Sequence, residues 1–293
     1  MPLARAGKRR FASMERGRLP QGDRARRGKT TMIVKTLLAA IVAGLVAGVF
    51  MTGAQELRVT PLILHAEEFE GEAPAAPGQP AGEQPAATDH QQHSLLNGAP
   101  SLGDMLAALS PVTPAYAHEG EEHEEGGIMF GMSRFSGTLA ANLVTGAGFS
   151  LLLAGISMVV GYPITLANGA LWGAFGWLAV HLLPAVGLPP ELPGFPAAEL
   201  GDRQAWWVAT ILLSAAGLYL LALRHGIVAK LGGLVLVAAP HLYGAPQPLD
   251  ISSNVPAVLG AEFAVAALAT TLAFWLVLGI VSGFINDRFL RVN

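Results

Sequence analysis

The chain has 293 residues, 52% of them hydrophobic and only 13% charged, with a formal net charge of −3 and a mean hydropathy of +0.46. A soluble domain carries about 25% charged residues, so charge this sparse, gathered between long apolar runs, indicates an integral membrane protein. Cysteine is absent, which excludes disulfides, thiolate metal sites and Cys nucleophiles.

The charges are unevenly placed. Eleven of the eighteen Lys and Arg lie at or before Lys35, and thirteen of the twenty-one acids fall between Glu56 and Glu125. Residues 1–31 are Arg-rich without apolar periodicity, and read as a disordered cytoplasmic tail rather than a nucleic-acid-binding arm. Residues 32–53 follow, with Ile33 to Gly53 as the first span. Its apolar run is nearer the ~20 residues of a membrane helix than the ~7–15 of a signal core, so the helix is expected to be retained. Gly44 and Gly48 give it a small-xxx-small packing face.

Residues 54–136 form a long polar excursion. Its opening, Gln55 to Glu70 (QELRVTPLILHAEEFE), is expected to be ordered and close to the membrane. From Ala73 to Ala87 it turns Ala/Pro/Gly/Gln-rich, a linker that cannot bury a core. Five of the eight histidines lie in the excursion: His65, His90, His93, His118 and His123.

Residues 137–293 read as a bundle, and the fold class is an all-α polytopic membrane bundle of five or six spans with a long, partly disordered external loop. The predicted spans are Gly137–Gly161, Ile164–Pro184 after a Gly161-Tyr162-Pro163 turn, Trp206–Leu223, a short Ile227–Ala239 interrupted by Lys230, and Ala257–Ile285. Six spans put both termini on one side. The N-terminal cluster, Arg224, Lys230, Arg288 and Arg291 mark that side as cytoplasmic, against Arg58, Arg134 and Arg203 opposite. The excursion then faces outward, in a bacterial inner membrane. If Ile227–Ala239 is re-entrant, the C-terminus moves across.

The most individual stretch is His181 to Thr210, HLLPAVGLPPELPGFPAAELGDRQAWWVAT. Five prolines between Pro184 and Pro196 hold it to extended or turn conformations. A second helix is expected to open at Trp206-Trp207, where an aromatic belt at the membrane surface would sit.

Imidazole and carboxylate together suit borderline divalent metals such as Co²⁺, Ni²⁺, Zn²⁺ and Cu²⁺. The run HEGEEHEE (His118 to Glu125) holds two histidines and five glutamates. It is either a loose metal-concentrating segment or a solvated acidic tether. Near the first span stand Glu56, then His65, Glu67 and Glu70; helical spacing puts His65, Glu68 and Phe69 on one face and Glu67 and Glu70 on another. Ionisable groups inside a bilayer are costly and usually face a bundle interior. The candidates are His181, His241 and Glu262, with neutral Asn142. In the six-span arrangement His181, His241 and Glu56 converge near the outer face as a metal-accepting site, with Glu262 and Asn142 lining the pathway below. For each of them the plain alternative is a helix-end group satisfied at the interface. No Walker-type loop, intramembrane H-E-x-x-H or G-x-S-x-G is present, so no enzyme motif stands behind the chain, and no cofactor is expected beyond a transported metal.

A set of motifs between Met32 and Arg288 resembles the CbtA family of predicted cobalt transporter subunits. They are PLIL-x-AE-x-x-E (Pro61 to Glu70), Ala170-Leu171-Trp172-Gly173, His181, GLPPELPG (Gly187 to Gly194), RQ-x-WW-x-x-T (Arg203 to Thr210), PHL-x-GAPQP (Pro240 to Pro248) and Phe274-Trp275. The resemblance implies a membrane component of cobalt uptake, associated with cobalamin functions and paired with CbtB, a small His-bearing single-span subunit. A non-transporting subunit that senses or delivers metal is the alternative.

Overall fold

The computed structural model describes residues 21–70 and 133–290, and every element among them is helical. The helices are α1 (Gln21–Arg58), α2 (Thr60–Glu70), α3 (Arg134–Val160), α4 (Gly169–Ala185), α5 (Leu200–Leu223), α6 (Ile227–Tyr243) and α7 (Ala257–Ile285), the last extended by a π-helical turn at Asn286–Leu290. Four are long and apolar enough to cross a membrane: the Ile33–Arg58 part of α1, α3, α5, and α7 with its extension. The predicted bundle is therefore present. α4 and α6 are shorter, at most 17 residues, or about 25 Å against a hydrocarbon core of about 30 Å.

Helix ends are set by local chemistry. Pro61 has no N–H to give Leu57, so α1 stops at Arg58 and α2 turns away from Val59. Ser133 Oγ caps α3 by accepting from the Ser136 N–H, and Gly161 ends it in the left-handed region at φ 70°. The expected helix from Ile164 begins five residues later. The Asn168 side chain accepts from Thr165 N–H at 2.7 Å and donates to the Pro163 carbonyl at 3.0 Å, which closes residues 163–168 into a loop. Likewise α5 opens at Leu200, not at the tryptophan pair, because Glu199 caps it by accepting from Asp202 N–H at 2.9 Å. The Gly201 and Asp202 N–H groups hold the Glu199 carboxyl below the usual carboxylate range, so this cap is in place at neutral pH and is lost as pH falls through that lowered value.

The six long-axis helices pair in the order α3–α1–α7–α4–α5–α6, each antiparallel to the next, and this row curls back on itself so that α3 also meets α4 and faces the lower part of α5. Glycines make the contacts. Gly44 and Gly48 of α1 lie on Gly146 and Asn142 of α3; Gly169 and Gly173 of α4 lie on Gly279 and Trp275 of α7; Gly217 of α5 lies on Gly233 of α6. The GxxxG pairs Gly169/Gly173 and Gly279/Gly283 thus meet backbone on backbone through Gly169 and Gly279. α6 lies along α5 from Leu221, beside Lys230, to Trp206, beside Pro240, and so rises from the end of the bundle where α5 finishes toward the end where α5 begins. The end bearing Glu56, Arg134, Arg203 and the Pro-rich loop is here the upper end; the end bearing Lys35, Arg224, Lys230 and Arg288 is the lower.

A central core joins Ala47, Met51, Leu153, Ile164, Val180, Phe274 and Trp275. A second core caps the upper end, where α2 and the Pro-rich loop meet the start of α7 through Ala66, Leu192, Val255 and Leu259, with Phe69, Phe195 and Phe263 beside them. Gly194 turns this loop at φ 81° while its carbonyl accepts from Ser253 Oγ at 2.9 Å.

Candidate functional site

The Pro-rich loop is fastened to α5 by an ion pair, Arg203 Nη2 to Glu191 Oε2 at 2.9 Å, with both side chains about a quarter exposed. Partial exposure keeps its worth near the surface value. Glu191→Gln is expected to lower stability by about 1 kcal/mol, and exchanging the charges (Glu191→Arg with Arg203→Glu) to recover most of it. Thermal unfolding of the detergent-purified protein reads both; a swap as unstable as either single reversal would show that the loop is held by other contacts.

Below this loop α4 winds into a π-helical turn, Leu178–Leu182. Pro184 explains it: the ring offers no N–H to the Val180 carbonyl and crowds it, so Leu183 N–H reaches back to Leu178 instead. His181 sits in that turn. Its Nδ1 accepts from Trp275 Nε1 at 3.1 Å. Because the Trp nitrogen is only a donor, Nδ1 carries the lone pair, and a neutral ring has its proton on Nε2. Phe149 closes the group, its ring centroid 4.9 Å from Trp275 and 6.1 Å from His181. Trp275 is 1% exposed and its ring occupies the space where a side chain on Gly176 would stand.

This aromatic group lies between two cavities. The upper one, about 390 Å³, is bounded by His181, Phe149, Arg203, Gln204, Trp207 and Thr271. The lower one, about 560 Å³, is walled by apolar side chains of α3, α4 and α5 with Tyr162, Trp172 and Tyr219, and by Trp275 at its top. Val180 lines both.

His241 lies elsewhere, in the last turn of α6. Its ring stands edge-on to Trp206 with centroids 6.0 Å apart. Both of its nitrogens are buried, and neither finds a hydrogen-bond partner among the described residues. Trp206 is itself interior at 7% exposure, donating to the Pro240 carbonyl at 3.3 Å; only Trp207, 41% exposed, stands where the expected aromatic belt would put it. The tryptophans are one helical step, about 100°, apart, so adjacent residues face different surroundings.

The remaining candidates do not assemble. Glu67 is engaged by Arg134 in a fork, Nη1–Oε1 2.9 Å and Nη2–Oε2 3.2 Å, and Glu56 is near enough for its charge to act on the same guanidinium. His65 lies tilted against Phe69, ring centroids 5.6 Å apart, sharing a face as the spacing predicts. Glu70 closes α2. Glu262 is exposed on the second turn of α7, at the upper end, and not along a path below His181. Asn142 donates to Thr52 Oγ1 at 3.0 Å and Gln55 Oε1 at 2.6 Å, clamping α3 to α1. His90, His93, His118 and His123 lie outside the described residues. Among the described residues no three His, Asp or Glu side chains come together in a way that could hold a metal, so the expected convergence of His181, His241 and Glu56 is not formed.

Two neighbours of His181 were not placed at the site by the sequence: Phe149, and Trp275, which entered only within the Phe274-Trp275 motif. Both meet His181 from other helices, and the physical signal was that an indole N–H deep in an apolar span must find an acceptor. The Arg203–Glu191 pair was foreshadowed by two opposite charges flanking a Pro-rich turn.

No curated protein and no solved structure matches the chain. The family model described as probable cobalt transporter subunit (CbtA) matches residues 33–287, most of the chain, and the protein belongs to that family.

Proposed function

We propose that this chain is the membrane subunit of an uptake system for Co²⁺ or a similar divalent metal, accepting the ion at its upper end and passing it through the helix row to the lower. The observation that carries the reading is the pair of cavities on either side of His181, one toward each end of the bundle. Both have room for a hydrated ion: a shell of about six waters at ~30 Å³ each fills about 180 Å³. Of the two nitrogen-bearing ionisable side chains on the upper cavity, Arg203 is paired with Glu191 and His181 has no ionic partner, and imidazole is a fitting ligand for Co²⁺. Lys35, Arg224, Lys230 and Arg288 mark the lower end as cytoplasmic, in a bacterial inner membrane, while Arg134 and Arg203 above are each matched by a glutamate. The segment containing His118 and His123 then lies outside, where it concentrates metal.

A second reading has its own support. With no three-ligand group among the described residues, the remaining ligands come from a partner, such as a small single-span CbtB-like subunit, and the chain receives or hands over the ion within a larger complex.

Cobalt accumulation in metal-starved cells, with and without this protein and with and without the partner, tests the two. Uptake that needs only this chain supports the transporter; uptake that needs both supports the shared site. No uptake with both proteins in the membrane removes the transport reading.

A further inference from the structure

Resting on the transport reading, we infer that Trp275, held by its hydrogen bond to His181 and backed by Phe149, is a gate between the two cavities, and that metal arriving at His181 releases it. The geometry gives the gate its place. Val180 lines both cavities, His181 and Phe149 line the upper, and Trp275 forms the ceiling of the lower. The ring is seated in a notch made by Gly176, whose missing side chain leaves the room that the indole fills. Beneath it the 560 Å³ cavity offers space into which the ring can turn.

The latch is incompatible with metal at the same imidazole. As long as Trp275 Nε1 donates to Nδ1, the ring proton is on Nε2, which faces away from the tryptophan, and a protonated nitrogen cannot ligate. Coordination at Nε2 sends that proton to water, and the neutral ligand takes one up on Nδ1, so the proton count is unchanged. The Nδ1–H and the indole N–H are then two donors facing each other at a distance set for one bond. The tryptophan loses its acceptor, and a buried indole N–H without one is unfavourable by about 1–3 kcal/mol. That is enough to move a closed state toward an open one by about 5- to 150-fold.

Two substitutions separate the latch from the ligand. Trp275→Phe keeps an aromatic plug and removes the N–H. His181→Asn places an amide oxygen near the position of Nδ1, retaining the acceptor, and removes Nε2.

The chain has no cysteine, so one introduced at Ala215, on the wall of the lower cavity, reports the gate directly. A charged, membrane-impermeant thiol reagent is applied to spheroplasts from outside, with Val186→Cys, 68% exposed at the upper end, establishing that this end faces the reagent. The expected result is slow labelling of Ala215→Cys that rises about tenfold or more with Co²⁺, since a latched protein populates its open state at no more than about a tenth. Added Trp275→Phe gives fast labelling with or without Co²⁺; added His181→Asn gives slow labelling with or without it. Variants are compared at equal membrane abundance and monodispersity in detergent. Labelling that ignores both Trp275→Phe and Co²⁺ overturns the gate while leaving cobalt uptake to be judged by accumulation. Labelling that obeys both, in cells where the protein supports no accumulation, upholds the gate and overturns the transport reading.

Discussion

Gly279→Ala is expected to remove most of the folded protein from the membrane. A Cβ at Gly279 would stand 2.0 Å from the Gly169 carbonyl oxygen and 2.9 Å from the Gly173 nitrogen, and one at Gly169 would stand 2.3 Å from the Gly279 oxygen. Contacts under 3.0 Å are essentially never tolerated, and here the obstructing atoms are backbone, so no rotamer change relieves them. The two helices must part, and parting them also lifts Trp275 from the Gly176 notch and disturbs the turn around His181. Overfilling a core of movable side chains costs about 1–3 kcal/mol; a backbone-on-backbone seam belongs at the top of that range or beyond it, at roughly 3 kcal/mol. Gly148→Ala is the matched control. It sits on α3 with nothing among the described residues within 4 Å of its added methyl, and replacing a helix-interior glycine there is neutral or gains up to about 1 kcal/mol. Membrane yield and thermal unfolding in detergent read both. Equal behaviour of the two variants would mean the α4–α7 seam is looser than its geometry states.

The second large effect is functional. With His181→Ala, cobalt accumulation is expected to fall by about 10- to 100-fold, the range seen when groups that form or orient a metal site are removed, while protein abundance holds. Abundance holds because the lost contacts are few: an edge contact with Phe149 and the acceptor of the buried Trp275 N–H, whose loss costs about 1–3 kcal/mol. His241 separates ligand from packing. His241→Phe keeps a ring against Trp206 and discards two buried nitrogens that have no hydrogen-bond partner among the described residues, so stability should be unchanged or improved. If accumulation falls as far as with His181→Ala, His241 serves the metal through its nitrogens; if it is unchanged, His241 is a packing residue. His181→Ala that transports normally would remove the histidine from the pathway altogether.

The helices and their contact faces were largely legible in the sequence, because both are local. Apolar length marked the spans, and the glycines four apart at Gly44/Gly48 marked a surface that touches. Helix starts were less legible. Asn168 and Glu199 set them with side-chain hydrogen bonds to nearby backbone, which no apolar count registers. The site was least legible. His181 and Trp275 are 94 residues apart, and Asn142 is 87 and 90 from its two acceptors on α1, so their pairing depends on which helices become neighbours. Ionisable residues at similar heights were expected to meet. The row-like order of the helices keeps them apart instead, with His181 on α4, His241 on α6 and Glu56 on α1.

The fork between Glu67 and Arg134 has a bearing on how this protein can change over time. It joins the last turns of α2 to the first residue of α3, so the polypeptide leaves the bundle and returns to it at a single staple. Whatever length of chain runs between those points must close the same short gap, and doubling or halving such a length alters the closure free energy by only about 0.6 kcal/mol. The His/Glu-bearing insert is therefore exchangeable in length: shortened, lengthened or rewritten, it alters the closure of the helix bundle by little.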